Sequence, residues 1–234
     1  MTEPYYSDDL VQLFHGDCRE LTAWLEADAM VVDPPYGRAW RQGEIKDQGS
    51  ARGHARNAAS QTGIANDNDT TVRDDILALW GTDRRAVVFG DLMLPPPPGA
   101  KLVGAYRKPA DAGLRGAMGG VRRDLEAIYL LGPWPSGIGG RSSLFTTAAA
   151  LVGTLNGIVA KAGGHPHTKP QDVLSDLIAL TEGSVIADPS VGSGSTLVAA
   201  KSLGLRAIGV ELEERYCEIA ARRLAQDTLF GGIA

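Results

Sequence analysis

Three stretches of this chain combine residue types and spacings that suit chemistry at a nucleotide or an amine. The first is Asp33-Pro34-Pro35-Tyr36, which closes the apolar run Ala29-Met-Val-Val32. The X-Pro step keeps Asp33 extended rather than helical. Both prolines have a fixed φ and no N–H, so the turn is stiff. The Asp33 carboxylate and the Pro34 carbonyl then stand as two fixed acceptors, which match the two donors of a planar –NH₂ group. Tyr36 offers an aromatic face on which a base can stack. The same four residues also suit a plain strand-ending turn built on a structural proline pair.

The second stretch is Asp188-Pro-Ser190-Val191-Gly192-Ser193-Gly194-Ser195-Thr196, between a strand-like run and a helical one. Glycines there let a ligand approach the backbone, and a helix N-terminus favours an anionic group. No Gly-Lys-Ser/Thr follows, so it is not a P-loop, and the spacing departs from Gly-x-Gly-x-x-Gly. A plain tight turn also fits it. The third is Glu211, at the end of Ile208-Gly-Val-Glu and roughly twenty residues after the glycines, the interval at which an acid holds ribose hydroxyls in nucleotide-binding βαβ units.

Elements that could position these residues are legible as short apolar runs. They are Ala29–Asp33, Ala86–Phe89, Ala127–Leu131, Ser184–Asp188 and Leu205–Val210. Continuous apolar runs suit central strands covered on both faces. Helical patterns span Gln171–Thr181, Ser195–Leu203 before Gly204, and Glu213–Gln226, where late Arg222 and Arg223 match the helix dipole. Strand–helix alternation predicts an α/β fold with a doubly wound, mostly parallel sheet. Gly37–Thr71, Pro95–Pro98 and Gly132–Gly164 lack such periodicity. Loops this long in a compact domain act as lids or binding loops.

The chain of 234 residues suits one α/β domain. It has no apolar run long enough to span a membrane and no signal-peptide pattern at its start. Its two cysteines, Cys18 and Cys217, lack metal-ligand spacing. A reducing, cytoplasmic setting with no metal site is expected. Net charge is −5, but its distribution is uneven. Eight basic residues lie between Arg84 and Arg123 against Asp91 and Asp111. Arg38, Arg41, Lys46, Arg52 and Arg56 face only Glu44 and Asp47. These stretches are either ordinary solvated loops or surfaces that meet phosphates.

Taken together, the motifs closely resemble the DNA amino-methyltransferases that modify N6 of adenine or N4 of cytosine. The likeness is to their circularly permuted beta class, with the catalytic motif first and the cofactor motif last. Phe14-His-Gly-Asp-Cys18, Val31–Gly37, His165-Pro-His-Thr-Lys-Pro170 and Ala187–Leu224 carry it. One departure is Ser190, where the family often has Phe. The resemblance implies a Rossmann-like methyltransferase fold in one domain over 1–234, with a catalytic half at about 1–131 and a cofactor half at about 160–234. It implies S-adenosyl-L-methionine as cofactor, held by Asp17, Cys18, Asp33, His165, Lys169, Pro170, Asp188, Ser190, Val191, Gly192, Ser193, Gly194, Ser195, Thr196, Glu211 and Leu212. Asp33, Pro34, Pro35 and Tyr36 become the catalytic set.

Double-stranded DNA is the expected partner, met by loops 37–71 and 95–123 through Arg38, Arg41, Arg52, Arg56, Lys101, Arg107, Lys108, Arg115, Arg122 and Arg123. Direct methyl transfer to a flipped base is expected, since an amine inside a duplex is out of reach; the resemblance implies adenine, because family members that modify adenine tend to begin the motif with Asp rather than Ser. Cytosine N4, or an RNA or protein amine, is the alternative. A non-catalytic DNA-binding relic and a nucleotide-dependent oxidoreductase fit the residues less well. A homodimer is expected by resemblance.

Overall fold

The computed structural model describes residues 2–38, 64–109, 118–147 and 168–230. Nine strands of these residues form one sheet: β1 (Tyr6–Ser7), β2 (Val11–His15), β3 (Ala29–Val32), β4 (Arg85–Gly90), β5 (Leu102–Arg107), β6 (Leu125–Leu131), β7 (Leu144–Thr146), β8 (Val185–Asp188) and β9 (Arg206–Glu211). Their order is β1-β2-β9-β8-β3-β4-β6-β5-β7. The central run β2-β9-β8-β3-β4 is parallel throughout. Strand β6 runs antiparallel to both β4 and β5, and β1 runs antiparallel to β2. The sheet is thus mostly parallel, as the alternation predicts.

Side-chain alternation sorts the central strands onto two cores. Val31, Val87 and Phe89 face one side, where α2 (Gln171–Thr181), α3 (Ser195–Ser202) and α4 (Glu214–Phe230) pack. Met30, Val32, Ala86 and Val88 face the other, covered by α1 (Thr71–Trp80) and the 3-10 turn Ala23–Glu26. On that second side Trp24 and Trp80 stack with ring centroids 5.9 Å apart, and the Arg84 guanidinium lies 3.8 Å from the Trp80 ring. Burial on both faces is what makes these strands continuously apolar in sequence.

Helix α1 is absent from the sequence expectation, which placed its first residue in a polar loop. It forms because Val72, Ile76 and Trp80 recur every four residues and bury one stripe. Strand β5 was also unforeseen. Gly104 interrupts its run, and an added Cβ there would meet the Ser143 carbonyl oxygen at 2.8 Å.

Adjacent strands β8 and β3 send their connections in opposite directions. From β3 the chain passes through α1 to β4; from β8 it passes through α3 to β9 on the other side. The carboxyl ends of β3 and β8 therefore flank the switch-point crevice, where ligands bind in open α/β sheets. Asp28 fastens the other end of this seam, its carboxylate accepting the N–H groups of Ser184 and Val185 at 3.0 Å.

Close packing beneath the crevice depends on Gly209 in β9. An added Cβ there would lie 2.4 Å from Val191 Cγ2 and 2.8 Å from Leu197 Cδ1. Gly209→Ala is expected to lower stability by about 1–3 kcal/mol through overpacking. Urea denaturation checks this.

Candidate active site

Asp33 directly follows β3, with Pro34 buried behind it. Gly37 closes the turn at φ +81°, and an added Cβ there would meet the Asp69 backbone at 2.6 Å. Buried Asp67 pins the same turn. Its Oδ1 accepts the N–H of Gly37 at 2.7 Å and that of Arg38 at 3.3 Å.

A buried polar cluster surrounds the Asp33 carboxylate. Tyr36 donates its hydroxyl to Asp33 Oδ1 at 2.7 Å. The Lys169 ammonium binds Asp33 Oδ2 and also donates to the Tyr36 hydroxyl oxygen at 3.2 Å. It lies 3.3 Å from Glu126 Oε2 and 4.9 Å from the centre of the Phe89 ring. The Lys108 ammonium pairs with Glu126 Oε1 at 2.6 Å. Lys169 and Glu126 are each only 6% exposed. Burial alone would lower the Lys169 pKa; the carboxylates of Asp33 and Glu126 outweigh it and raise the value. Burial, then Asp33 and Glu126, push the Tyr36 phenol well above its ordinary value, so it stays a neutral donor.

Across the crevice, Asp188 ends β8 and the glycine turn follows. Gly192 and Gly194 take φ of +52° and +84°. An added Cβ at Gly194 would meet Ala220 Cβ at 2.9 Å, so only glycine lets α4 approach the turn. Arg223 of α4 grips that turn, donating to the Ser193 carbonyl at 2.5 Å and to the Ser193 and Ser195 hydroxyls at 3.1 Å. From sequence alone Arg223 carries only a helix-dipole role. Thr168 and Ser193 hydroxyls lie 3.3 Å apart, so the Thr168-Lys169 step touches both the glycine turn and the Asp33 motif.

Glu211 ends β9, 8% exposed, and its Oε2 accepts the Gly192 N–H at 2.7 Å. Its Oε1 accepts the Glu213 N–H at 2.8 Å, and burial raises its pKa. Asp17 stands beside it, because His15 of β2 is in register with Glu211 and Gly16 N–H donates to the Glu211 carbonyl at 2.9 Å. Arg19 holds the Asp17 carboxylate at 2.6 Å and lowers its pKa. Cys18 is buried and its carbonyl accepts the Trp24 indole N–H at 2.9 Å, whereas Leu212 is exposed. The fold thus brings Asp17, Cys18, Asp188, Ser190, Val191, the glycine turn, Thr196, Glu211 and Leu212 to one end of the sheet. His165 lies outside the described residues, and the Lys169 ammonium engages Asp33 rather than the glycine turn.

The expected DNA-contacting cations divide. Arg38 and Arg123 share Asp91, at 2.5 and 3.7 Å, while Arg122 and Arg107 share Asp124, at 3.1 and 3.9 Å. With Lys108 on Glu126, these five ring the mouth of the crevice. Lys101 lies at the opposite end of the sheet, because β5 runs antiparallel to β6 and Lys101 precedes its first residue. Arg84 and Arg85, part of the basic stretch in sequence, serve the interior instead. Arg84 donates to the carbonyls of Leu25, Ala27 and Trp80, and Arg85 to that of Thr181. Arg41, Arg52, Arg56 and Arg115 lie outside the described residues.

Asp67, Glu126 and Arg223 are the site residues the sequence did not single out. For Glu126 the one available signal was an acid opening an otherwise buried strand.

Comparison with solved structures shows which known proteins share this fold. PvuII DNA methyltransferase (cytosine-N4-specific) superposes with a TM-score of 0.63 at 16% identity, covering 100% of this chain and 91% of that one. M1.HpyAVI, solved as a SAM complex, gives 0.57 at 17% identity, covering 92% of this chain and 100% of the other. The fold is a Rossmann-like α/β sheet shared with these two solved proteins. Sequence narrows this further. Residues 142–222 match the N6_N4_Mtase family, described as DNA methylase. Type II methyltransferase M2.DpnII of Streptococcus pneumoniae is 49% identical over 65 residues, 27% of this chain and 24% of its own length. M2.LlaDCHI of Lactococcus lactis subsp. cremoris is 43% identical over 72 residues, 30% of this chain and 27% of its own length. The matched segment thus spans about a quarter of each relative. The family likeness of this chain is to the N6-adenine/N4-cytosine DNA methyltransferases.

Burial pushes Asp188 up to about 7, against the Ser190 N–H and Thr196 hydroxyl, which lower it. A folded-state pKa raised above the unfolded 3.8 favours folding at low pH, and that advantage fades between about 4 and 7. Asp188→Asn, which mimics the neutral acid, is expected to gain Tm relative to the parent as pH rises through that window. Thermal scans at pH 4.5, 6 and 8 check the sign.

Proposed function

We propose that this chain is a single-domain methyltransferase that transfers a methyl group from S-adenosyl-L-methionine to the N6 amine of adenine in double-stranded DNA. The observation that carries the reading is the placement of Asp33-Pro34-Pro35-Tyr36 and the glycine turn on opposite lips of one switch-point crevice. The donor set fits the cofactor. Glu211 and Asp17, at the ends of neighbouring strands, are the acids for ribose and base donors, and the positive-φ glycines leave backbone open to the rest of the nucleoside. When bound, the cofactor supplies an activated methyl on a sulfonium, and the protein's task is to position a weak nucleophile.

An aromatic amine gives its lone pair to the ring. Acceptance of its two N–H groups by Asp33 and the Pro34 carbonyl favours a pyramidal nitrogen with that pair freed. As the N–C bond formed, the S–CH3 bond would break with its electron pair left on sulfur, and the Asp33 carboxylate would offset the positive charge passing to nitrogen. The N–H bond then breaks and its proton leaves past Asp33. An amine inside a duplex is out of reach, so the base flips out, with Tyr36 as its stacking face. Arg38, Arg107, Lys108, Arg122 and Arg123 at the mouth are the candidate phosphate contacts.

The decisive experiment is digestion and mass spectrometry of unmodified plasmid DNA incubated with the protein and S-adenosylmethionine. N6-methyladenine is expected; N4-methylcytosine would reassign the base, and an unmodified product would overturn the reading. Asp33→Ala is expected to cut transfer by roughly 100-fold or more, as for loss of a preorganised charge-stabilising group, with cofactor binding retained. Glu211→Gln is expected to weaken cofactor binding about tenfold, the worth of one charge-assisted hydrogen bond. Calorimetric titration checks both binding claims.

A further inference from the structure

Asp33 must accept an amine N–H during the proposed reaction, yet Lys169 and Tyr36 already occupy its two oxygens. A cation fixed there would compete with the incoming amine for the same carboxylate. Glu126 offers the cation a second seat. Its Oε2 lies 3.3 Å from the Lys169 ammonium and 3.5 Å from the Tyr36 hydroxyl. Both current partners of Asp33 are thus within reach of this other carboxylate. Lys108 pairs with the far oxygen of Glu126 at 2.6 Å, which leaves Oε2 turned toward Lys169 and Tyr36.

The sheet makes the arrangement possible. Glu126 lies near the start of β6, and β6 runs antiparallel to β4 with Gly90 opposite Ala127. That reversal brings the beginning of β6, rather than its end, to the lip of the crevice.

Resting on the amino-methyltransferase reading, we propose that Glu126 is a positioning residue that draws the Lys169 ammonium away from Asp33 when the target amine arrives, freeing a carboxylate oxygen to accept it. No covalent bond changes in this step; one ammonium moves between two carboxylates. The buried pocket keeps its charge balance, with Lys169 and Lys108 against Asp33 and Glu126. The Lys169 ammonium is faced by Asp33 after β3, Tyr36 of the following turn, Phe89 of β4 and Glu126 of β6. Lys108 and the Tyr106 phenol of β5 lie near Glu126, and Asp91 adds charge near Tyr36. Asp188 sees the charge of Asp33 from β8.

The test uses Glu126→Gln in the full chain, with wild-type protein and Glu126→Asp alongside. Methyl transfer to unmodified plasmid DNA is followed from pH 6.5 to 10. At neutral pH Glu126→Gln is expected to lose roughly 10- to 100-fold in kcat/KM, the scale of a misplaced catalytic group, with cofactor binding unchanged by calorimetry. The loss should shrink as pH rises. Without the Glu126 charge Lys169 gives up its proton at lower pH than in the wild type, and a neutral amine no longer holds Asp33. Glu126→Asp should recover part of the activity at neutral pH. Wild-type-like activity of Glu126→Gln at every pH, or a deficit that stays constant across the range, overturns the assignment while wild-type transfer leaves the parent reading intact. A wild-type protein that methylates no DNA overturns both. A Glu126→Gln protein that loses cofactor binding or melts far below the wild type marks Glu126 as structural and also overturns it.

Discussion

A single buried ammonium ties this molecule together at its working end. Lys169 enters from the start of α2 and meets Asp33 beyond β3, Tyr36 in the following turn and Glu126 in β6. Carboxylates taken out of water are costly unless a counter-charge sits among them. The two acids can share a dry lip of the sheet because Lys169 lies between them and Lys108 backs one of them. Remove the ammonium and Asp33 and Glu126 would repel across a space closed by Phe89. The position of the Asp-Pro-Pro-Tyr turn therefore follows from electrostatics as much as from its prolines.

The other lip is held differently. The glycine turn is shaped by backbone geometry and by hydrogen bonds, with Glu211 gripping Gly192 from below and Arg223 gripping Ser193 from the side. Glu211 is thus part of the turn's own scaffold, with both carboxylate oxygens bonded to backbone. Both lips are preorganised, one by charge and one by close approach of α4 and β9 to glycine.

How much of this was legible depended on the range of the interactions. The five apolar runs became strands, and Gln171–Thr181 became a helix with those bounds, because buried strands and amphipathic helices encode themselves locally. The two motifs were legible because proline and glycine act on the backbone beside them. Glu126 was not, since its role arises from a partner at Lys169 that only the sheet brings near. The basic stretch from Arg84 to Arg123 misled in part for the same reason. Charge can be counted in a sequence, but its pairing cannot, and Arg84 and Arg85 serve backbone carbonyls at the far end of the sheet. Helix α1 escaped notice because its apolar stripe follows a long polar run, where the period is easily lost.

The seam between β3 and β8 also bears on how the chain reaches its native state. Asp28 and Val185, which close it, are 157 positions apart. Pairings of such high contact order form late, since the loop-closure entropy precedes any reward from the contact. During synthesis the first half emerges with the β3 edge bare, a row of unpaired backbone groups that invites association with other chains. The crevice and its chemistry come into being only when the distant strand docks. A product that ends before β8 would therefore carry the Asp33 motif on one lip with no second lip facing it.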